Sequence, residues 1–315
     1  MPNKKKPYRI KNWRQYNNAL MNRGNLFVWL SDDVVTGWTT SEYSGKPGAS
    51  QEYSDLSILT CLTMRHVYSL TLRGTQGFMN SLLTLLKLDL TCPDYTTLSR
   101  RSKMLNVPLP CSKDISHVVV DSSGLKVYGE GEWKTRQYGS FKRRTWRKIH
   151  LCINPDNQEI IANVLTSNNV SDGETLPDLL NQIPNGFKVV SGDGAYDTTS
   201  CYKAIYHKGA SSIIPPRKNG ICQKKEKEDA LLDRDKAIKR IELLGRNEKA
   251  RNIWKQETGY HKRSLAETAM FRFKTIFGHT LAARSFHNQV TELSIKVMIL
   301  NRMTKLSMPD SFQIG

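Results

Sequence analysis

Three carboxylates occupy three different local settings along this chain of 315 residues, and together they limit the folds that can use them. Asp121 and Asp193 each close a short apolar run of the strand type. Glu267 lies farther along the chain, in a stretch with helical spacing. Two strand ends and one helix can bring their side chains to one point at the edge of an α/β sheet. The sequence therefore predicts an α/β fold with an acidic cluster.

The stretch around Glu267 has the pattern of an amphipathic helix. At about 100° per residue, Arg263 and Lys274 fall in the same narrow sector as Glu267. Tyr260 lies there too, and Phe271 is the one large apolar residue on this polar face. An ordinary charged surface helix is the alternative for such a face taken alone. The opposite, apolar side comprises Leu265, Ala266, Met270, Phe273, Ile276 and Phe277.

A carboxylate cluster of this kind can hold two divalent cations for phosphoryl chemistry on a nucleic-acid backbone. Each Asp also has a simpler interpretation, because Asp-Ser and Asp-Gly pairs are common in turns that bind no metal. Asp197 is a rival to Asp193, four residues farther on. We prefer Asp193 because it directly follows the apolar run.

The charge balance favours a polyanionic partner. The chain has 47 Lys and Arg against 29 Asp and Glu, a formal net charge of +18. Nucleic acid is the usual partner of such a chain, although a basic protein with a solvated surface is the alternative. The six Cys form no Cys-x2-Cys pair, which fits a reducing cytoplasm. No apolar run long enough to predict a membrane span is present.

The pattern along the chain changes near Pro108, which divides it into two predicted domains, 1–107 and 108–315. The first is helical. Its basic helix Tyr95–Leu105, with Asp94 as N-cap, carries Arg100 and Arg101 and fits either a DNA-binding helix-turn-helix or a structural bundle. The second begins with three strands, continues as alternating helices and strands, and has a charged helical insertion around 218–250.

A basic stretch precedes the second predicted strand of the second domain. Residues 133–148 contain seven Lys and Arg and no acid. The stretch predicts a DNA-binding patch, with a solvated hairpin as the alternative. The patch includes Arg143, Arg144, Arg147 and Lys148.

The pattern Tyr-x2-Arg-x3-Glu-x6-Lys resembles the signature of DDE transposases from bacterial insertion sequences, in the insertion-sequence-five branch. The resemblance extends from near Tyr8 to about Asp310. Further similar segments are Asp121-Ser-Ser-Gly124, Gly192-Asp-Gly-Ala-Tyr-Asp197, Ile214-Pro-Pro-Arg217 and Leu300-Asn-Arg-Met303. The resemblance implies a ribonuclease-H-like catalytic domain, with an N-terminal helical DNA-binding domain.

The resemblance also implies roles for the residues that match the motif. Asp121 would bridge two Mg²⁺ ions, which Mn²⁺ can replace, and Asp193 and Glu267 would each complete one. Tyr260 and Arg263 would hold a DNA phosphate beside the scissile bond. Lys274 would add a further contact to the backbone.

The implied protein is a cytoplasmic, nucleoid-associated bacterial transposase. It would bind the terminal inverted repeats of its element, cleave double-stranded DNA and join the ends to target DNA, as a homodimer in the synaptic complex. Two alternatives remain: a ribonuclease-H-like nuclease without strand transfer, and a non-catalytic DNA-binding relic of an element.

Overall fold

A computed structural model describes residues 8–40, 52–109, 115–127, 145–223 and 228–314. It divides into two compact units, Met1–Val107 with Met298–Gly315, and Pro108–Val297. The predicted second domain ran to residue 315, but residues 298–315 belong to the first unit. Within the described ranges, no helix is both long and apolar enough to cross a membrane.

The helices and strands fall in the following order along the chain. The helices are α1 Trp13–Asn22, α2 Leu26–Trp29, α3 Asp32–Thr36, α4 Asp55–Val67, α5 Leu72–Leu85, α6 Tyr95–Arg101, α7 Asp172–Asn181, α8 Thr199–His207, α9 Leu232–Leu243, α10 Glu248–Glu257, α11 Ser264–Phe277 and α12 Phe286–Leu306. The strands are β1 Tyr8–Ile10, β2 His117–Val127, β3 Trp146–Ile153, β4 Ile160–Ser167, β5 Val189–Ser191, β6 Ser211–Ile213, β7 Thr280–Leu281 and β8 Ser311–Gln313.

The first unit is built on α4, α5 and α6, which pack against one another. Each of these helices has an N-cap residue whose side chain accepts a hydrogen bond from a backbone N–H in the first turn. The three N-cap residues are Ser54, Thr71 and Asp94. Asp94 is thus the N-cap that the sequence predicts. Strand β1 pairs with β8 in an antiparallel ribbon, which joins the two ends of the chain within this unit. That long-range pairing explains why residues 298–315 do not belong to the second unit.

The second unit contains a six-stranded mixed sheet in the order β4-β3-β2-β5-β6, with β7 also paired to β2. Strands β2, β3 and β4 are antiparallel neighbours, whereas β2, β5 and β6 are parallel. Helices α7 and α8 supply apolar side chains to one core with β2. That core includes Val118, Val120, Leu176, Leu179 and Tyr202.

Strand β2 continues past Asp121, where the sequence predicts its end, as far as Val127. The antiparallel pairing with β3 sustains the extension, since Lys126 still pairs with Trp146. The parallel pairing with β5 stops earlier, at Val119 opposite Ser191. Asp121 therefore lies inside a strand but beyond the point where β5 flanks it.

The charged stretch predicted as a helical insertion around 218–250 contains α9, and the helical lobe continues into α10. These two helices pack on a small apolar core of their own. It is formed by Ala237, Ile241, Ala250 and Trp254.

Candidate active site

Two of the predicted carboxylates lie where the parallel pairing of β2 and β5 ends. Asp121 is on β2, opposite Leu151 of β3 and two residues past the last β5 pair. Asp193 follows β5 by two residues, and its Oδ1 accepts the backbone N–H of Ala195 at 2.9 Å. That bond begins a short 3₁₀ turn, Gly194–Tyr196. Both carboxylates thus lie near the carboxyl end of the parallel pairing between β2 and β5.

Gly192 permits the close packing beneath Asp193. A Cβ at this position would lie 2.8 Å from the Tyr196 ring and 3.0 Å from Cγ2 of Val120. Any larger residue would therefore push the turn away from β2. Tyr196 is fully packed, and its hydroxyl is a buried polar atom without a hydrogen-bond partner. The contacts of Tyr196 form only in the folded turn, so no local sequence pattern predicts them.

The helix that carries Glu267 begins later than predicted. Residues Tyr260–Arg263 form a 3₁₀ turn, and the α-helix α11 starts at Ser264. Gly259 precedes the turn with φ of 69°, a left-handed conformation that glycine adopts without strain. This glycine lets the chain leave α10 and present the turn and the helix in a new direction.

Helix α11 buries the side that the sequence predicts as apolar, and it is tied to β2 by one polar contact. Ala266, Met270 and Phe273 are buried, and Phe271 on the other side is 70% exposed. Lys274 donates from Nζ to Oγ of Ser123 at 2.6 Å. Because Ser123 is two residues from Asp121, this bond aligns the helix with the acidic part of β2.

Arg263 lies between two of the carboxylates. Its Nη1 is 3.7 Å from Oδ2 of Asp121, and its Nη2 donates to Oε1 of Glu267. The guanidinium carbon is also 5.8 Å from the centroid of the Tyr260 ring. The family resemblance implies a phosphate contact for Arg263, whereas in this structure its partners are carboxylates.

The charges of the cluster influence one another. Burial raises the pKa of Asp121, and the negative charges of Asp193 and Glu267 raise it further. The Ser122 N–H and the Arg263 guanidinium act in the opposite direction on that pKa. Arg263 contacts two of the three carboxylates, and Asp193 adds a further negative charge within electrostatic range of Asp121.

The donor set fits a hard divalent cation in type and charge. Carboxylate oxygens are the ligands that Mg²⁺ and Mn²⁺ use in proteins. A cation would offset the negative charges of Asp193 and Glu267, which add to the effect of burial on the pKa of Asp121. In the ranges that the structure describes, however, no three Asp, Glu, His or Cys side chains are gathered closely enough to hold a metal ion. The type of ligand therefore fits a divalent cation. The distance between Asp121 and Glu267 is instead that of two carboxylates bridged by Arg263.

Asp197, the rival to Asp193, has a different environment. Its side chain is fully buried and accepts three hydrogen bonds. They come from the Tyr202 hydroxyl at 3.0 Å, the Arg217 backbone N–H at 2.7 Å and Nε of Arg234 at 2.9 Å. Its oxygens thus accept hydrogen bonds from internal donors, whereas Asp193 is partly exposed.

Two of the predicted DNA-binding cations are engaged inside the second unit. Lys148 donates from Nζ to the Val170 carbonyl at 2.9 Å and to Oδ1 of Asp172 at 3.0 Å. Arg147 donates from Nε to Oε1 of Gln289 at 2.9 Å. The Asp172 side chain is only 20% exposed and pairs with Lys148, which is 24 residues away in the sequence. No local pattern signals that pair.

The other predicted cations differ from one another. Arg101 pairs with Asp55 at 2.5 Å and also donates to the Tyr53 carbonyl, whereas Arg100 is exposed. Arg143 and Arg144 lie outside the described residues. Arg100 therefore keeps its guanidinium available on the surface of the first unit.

Two family models, both described as Transposase DDE domain, match this chain, one over residues 112–302 and the other over residues 21–130. A cryo-EM structure of the piggyBac transposase synaptic complex with hairpin DNA is also similar, with 11% sequence identity and a TM-score of 0.39. The alignment covers 90% of this chain and 73% of that chain. A similarity at that score carries no argument about this chain.

Proposed function

The chain belongs to the transposase DDE domain family, and we propose that it binds the terminal inverted repeats of an insertion sequence, cleaves there and joins the ends to target DNA. One observation carries the proposal: the turn after β5 and α11 bring Asp193 and Glu267 within electrostatic range of Asp121 on β2. Under this proposal those three side chains are the catalytic carboxylates.

The second unit would be a ribonuclease-H-like domain. Three antiparallel strands followed by two parallel strands, with helices between the latter, support that assignment. In such a sheet the first strand lies in the centre. One carboxylate lies on this strand, and a second follows the end of the neighbouring parallel strand. Asp121 on β2 and Asp193 after β5 have this relation.

Asp121, Asp193 and Glu267 would hold two Mg²⁺ ions, or Mn²⁺ in their place. When bound, such ions activate water as a nucleophile and stabilise the charge that develops on the leaving 3′ oxygen. The chain itself supplies the positioning. Gly192 and Tyr196 fix the turn that carries Asp193, and the Lys274–Ser123 bond fixes α11 against β2.

Tyr260, Arg263 and Lys274 would contact the DNA backbone beside the scissile bond, as in the insertion-sequence-five branch. Arg263 can give a forked pair of hydrogen bonds to one phosphate. Arg100 in the first unit would contribute to recognition of the element ends. The charge of +18 supports salt-sensitive affinity for DNA, and synapsis of two ends would require a homodimer.

The experiment that tests the proposal is incubation of the protein with Mg²⁺ and labelled duplex DNA that carries the element's ends. Joined products are expected. Cleavage without joining would make the protein a nuclease, and binding without cleavage would make it a relic. A Glu267→Gln protein, run in parallel, should bind the same DNA and yield neither product.

A further inference from the structure

Arg263 uses the same carboxylate oxygens that a metal ion would need. Its guanidinium extends one nitrogen towards Oδ2 of Asp121, at 3.7 Å, and bonds Oε1 of Glu267 with the other. The Glu267 oxygen that accepts a hydrogen bond from the guanidinium has fewer lone pairs for a cation, and a divalent cation at Asp121 would be repelled by the nearby guanidinium. Arg263 and a divalent cation therefore compete for Asp121 and Glu267.

The position of Arg263 is held from several sides. The side chain is 20% exposed, although it lies at the start of a helix whose Glu267 side chain is 57% exposed. The Tyr260 ring lies beside the guanidinium, and Asp121, 15% exposed, lies beyond it. The guanidinium thus turns inward to the carboxylates and away from the solvent, where a DNA phosphate would approach.

We propose that Arg263 is a latch that couples DNA binding to metal binding. Without DNA, its guanidinium stays on Asp121 and Glu267. A DNA phosphate then draws the guanidinium away and leaves those oxygens free for divalent cations. The inference rests on the proposed function, since it takes the three carboxylates as metal ligands and Arg263 as a phosphate contact.

The exchange is chemically balanced. Arg263 would exchange its charge-assisted pairing with the carboxylates for a charge-assisted pairing with a phosphate. The guanidinium would therefore have an anionic partner both without and with DNA. Metal ions then take over the neutralisation of Asp121 and Glu267. By linkage, DNA must raise metal affinity by the same factor by which metal raises DNA affinity. A site of this kind would be occupied by metal mainly when DNA is bound.

The first arm of the test measures Mn²⁺ binding to the DNA-free protein by electron paramagnetic resonance of the free ion. Arg263→Gln should bind Mn²⁺ about tenfold more tightly than the wild type, within the usual range of coupling between sites. Lys262→Gln is the matched control. Lys262 is on the same turn, and its substitution by Gln removes the same charge. Its Nζ lies 3.5 Å from Oδ1 of Asp156, which is outside the cluster. We expect its Mn²⁺ affinity to change by no more than about twofold.

The second arm measures the affinity for a generic DNA duplex by fluorescence anisotropy, with and without Mn²⁺. An Asp121→Asn/Glu267→Gln protein supplies the baseline for non-specific effects of the ion. Relative to that baseline, Mn²⁺ should strengthen DNA binding by the wild type and should not do so for Arg263→Gln. Circular dichroism checks the fold, and Arg263→Lys, which keeps the charge without the fork, replaces Arg263→Gln if that protein is unfolded.

The outcomes separate the latch from the function on which it rests. If Arg263→Gln and the wild type bind Mn²⁺ equally, and more tightly than the baseline protein, the latch is refuted and the metal site stands. Equal Mn²⁺ binding by all three proteins would refute the metal site, and the latch with it. If Lys262→Gln gained as much Mn²⁺ affinity as Arg263→Gln, the gain would come from the change in net charge alone, and the latch would be refuted.

Discussion

One short 3₁₀ turn, Gly194–Tyr196, separates Asp193 from Asp197 in the sequence, and the two carboxylates belong to clusters that are organised in opposite ways. The open cluster consists of Asp121, Asp193, Glu267 and Arg263. The closed cluster consists of Asp197 with its three donors, of which Arg234 carries the charge. In the closed cluster one carboxylate is buried, paired and fully hydrogen-bonded. In the open cluster Arg263 contacts two of the three carboxylates, and the pKa of Asp121 is raised.

The difference separates a group that stabilises the fold from groups that are held ready for chemistry. A buried carboxylate with a balanced charge contributes to stability only while its partners remain, and breaking the pair is costly. Carboxylates in excess of their partners instead lower stability and attract a cation. Proteins tolerate such arrangements where function requires them. Sequence distance does not separate the two types, since Asp193 and Asp197 are four residues apart.

The largest expected effect tests directly whether Asp193 and Asp197 have different roles. Asp193→Asn should reduce DNA cleavage at least about 10³-fold, as loss of a principal catalytic group does, with little change in DNA binding. Asp121→Asn and Glu267→Gln should do the same. Asp197→Asn should retain cleavage per folded molecule. Single-turnover cleavage and anisotropy measure the two properties, and retained cleavage in Asp193→Asn with loss in Asp197→Asn would reverse the assignment.

The next effect concerns the guanidinium of the open cluster. Arg263→Ala should slow single-turnover cleavage about 10²-fold, because a misplaced phosphate near the catalytic groups costs that much. Affinity for non-specific duplex should fall only modestly, since it is spread over many cations. Arg100→Ala is the control, with the opposite expectation: weaker binding to the element ends and normal cleavage at saturation. If Arg263→Ala lost only affinity, it would be an ordinary surface cation.

A smaller effect tests the closed cluster through stability. Asp197→Asn should lower the free energy of unfolding by about 3 kcal/mol, because it leaves Arg234 without its buried partner. Urea unfolding measures the change. Glu228→Gln is the matched control, since Glu228 pairs with Lys203 at 3.1 Å while both side chains are about half exposed. That change should cost less than about 1 kcal/mol, and equal costs would mean that Asp197 is not a structural anchor.

Much of the open cluster can be predicted from the sequence because its signals are local. Apolar runs mark β2 and β5, and helical spacing marks α11. Asp121 directly follows its apolar run, Asp193 follows β5 by two residues, and Glu267 lies in the first turn of α11. The buried side of α11 follows from the same spacing, as Ala266 and Phe273 confirm. The Asp94 cap is local in the same way.

Partners that are distant in sequence could not be predicted in this way. Lys148 and Arg147 have the composition of a DNA-binding patch, but tertiary contacts with Asp172 and Gln289 use their charges internally. The extension of β2 depends on β3, and the assignment of the C-terminal residues depends on pairing of β1 with β8. Arg263 shows the same limit, since its motif predicts a phosphate partner and the folded chain supplies carboxylates.

The smallest expected effect has the opposite sign from that of Asp197→Asn. Asp121→Asn should raise the free energy of unfolding by up to about 1 kcal/mol at pH 7 in EDTA, because it removes an ionised group from an unfavourable, crowded environment. The raised pKa of Asp121 fixes the pH dependence. Above the folded-state pKa the ionised carboxyl destabilises the wild type in full. As the pH falls through that value, the proton binds more readily to the folded chain and the penalty disappears. Urea midpoints of the wild type and Asp121→Asn should therefore differ most near pH 7 and converge under acid conditions. A wild type that is more stable than Asp121→Asn at neutral pH would place Asp121 with the anchors of the fold, beside Asp197, and would end the distinction between the two clusters.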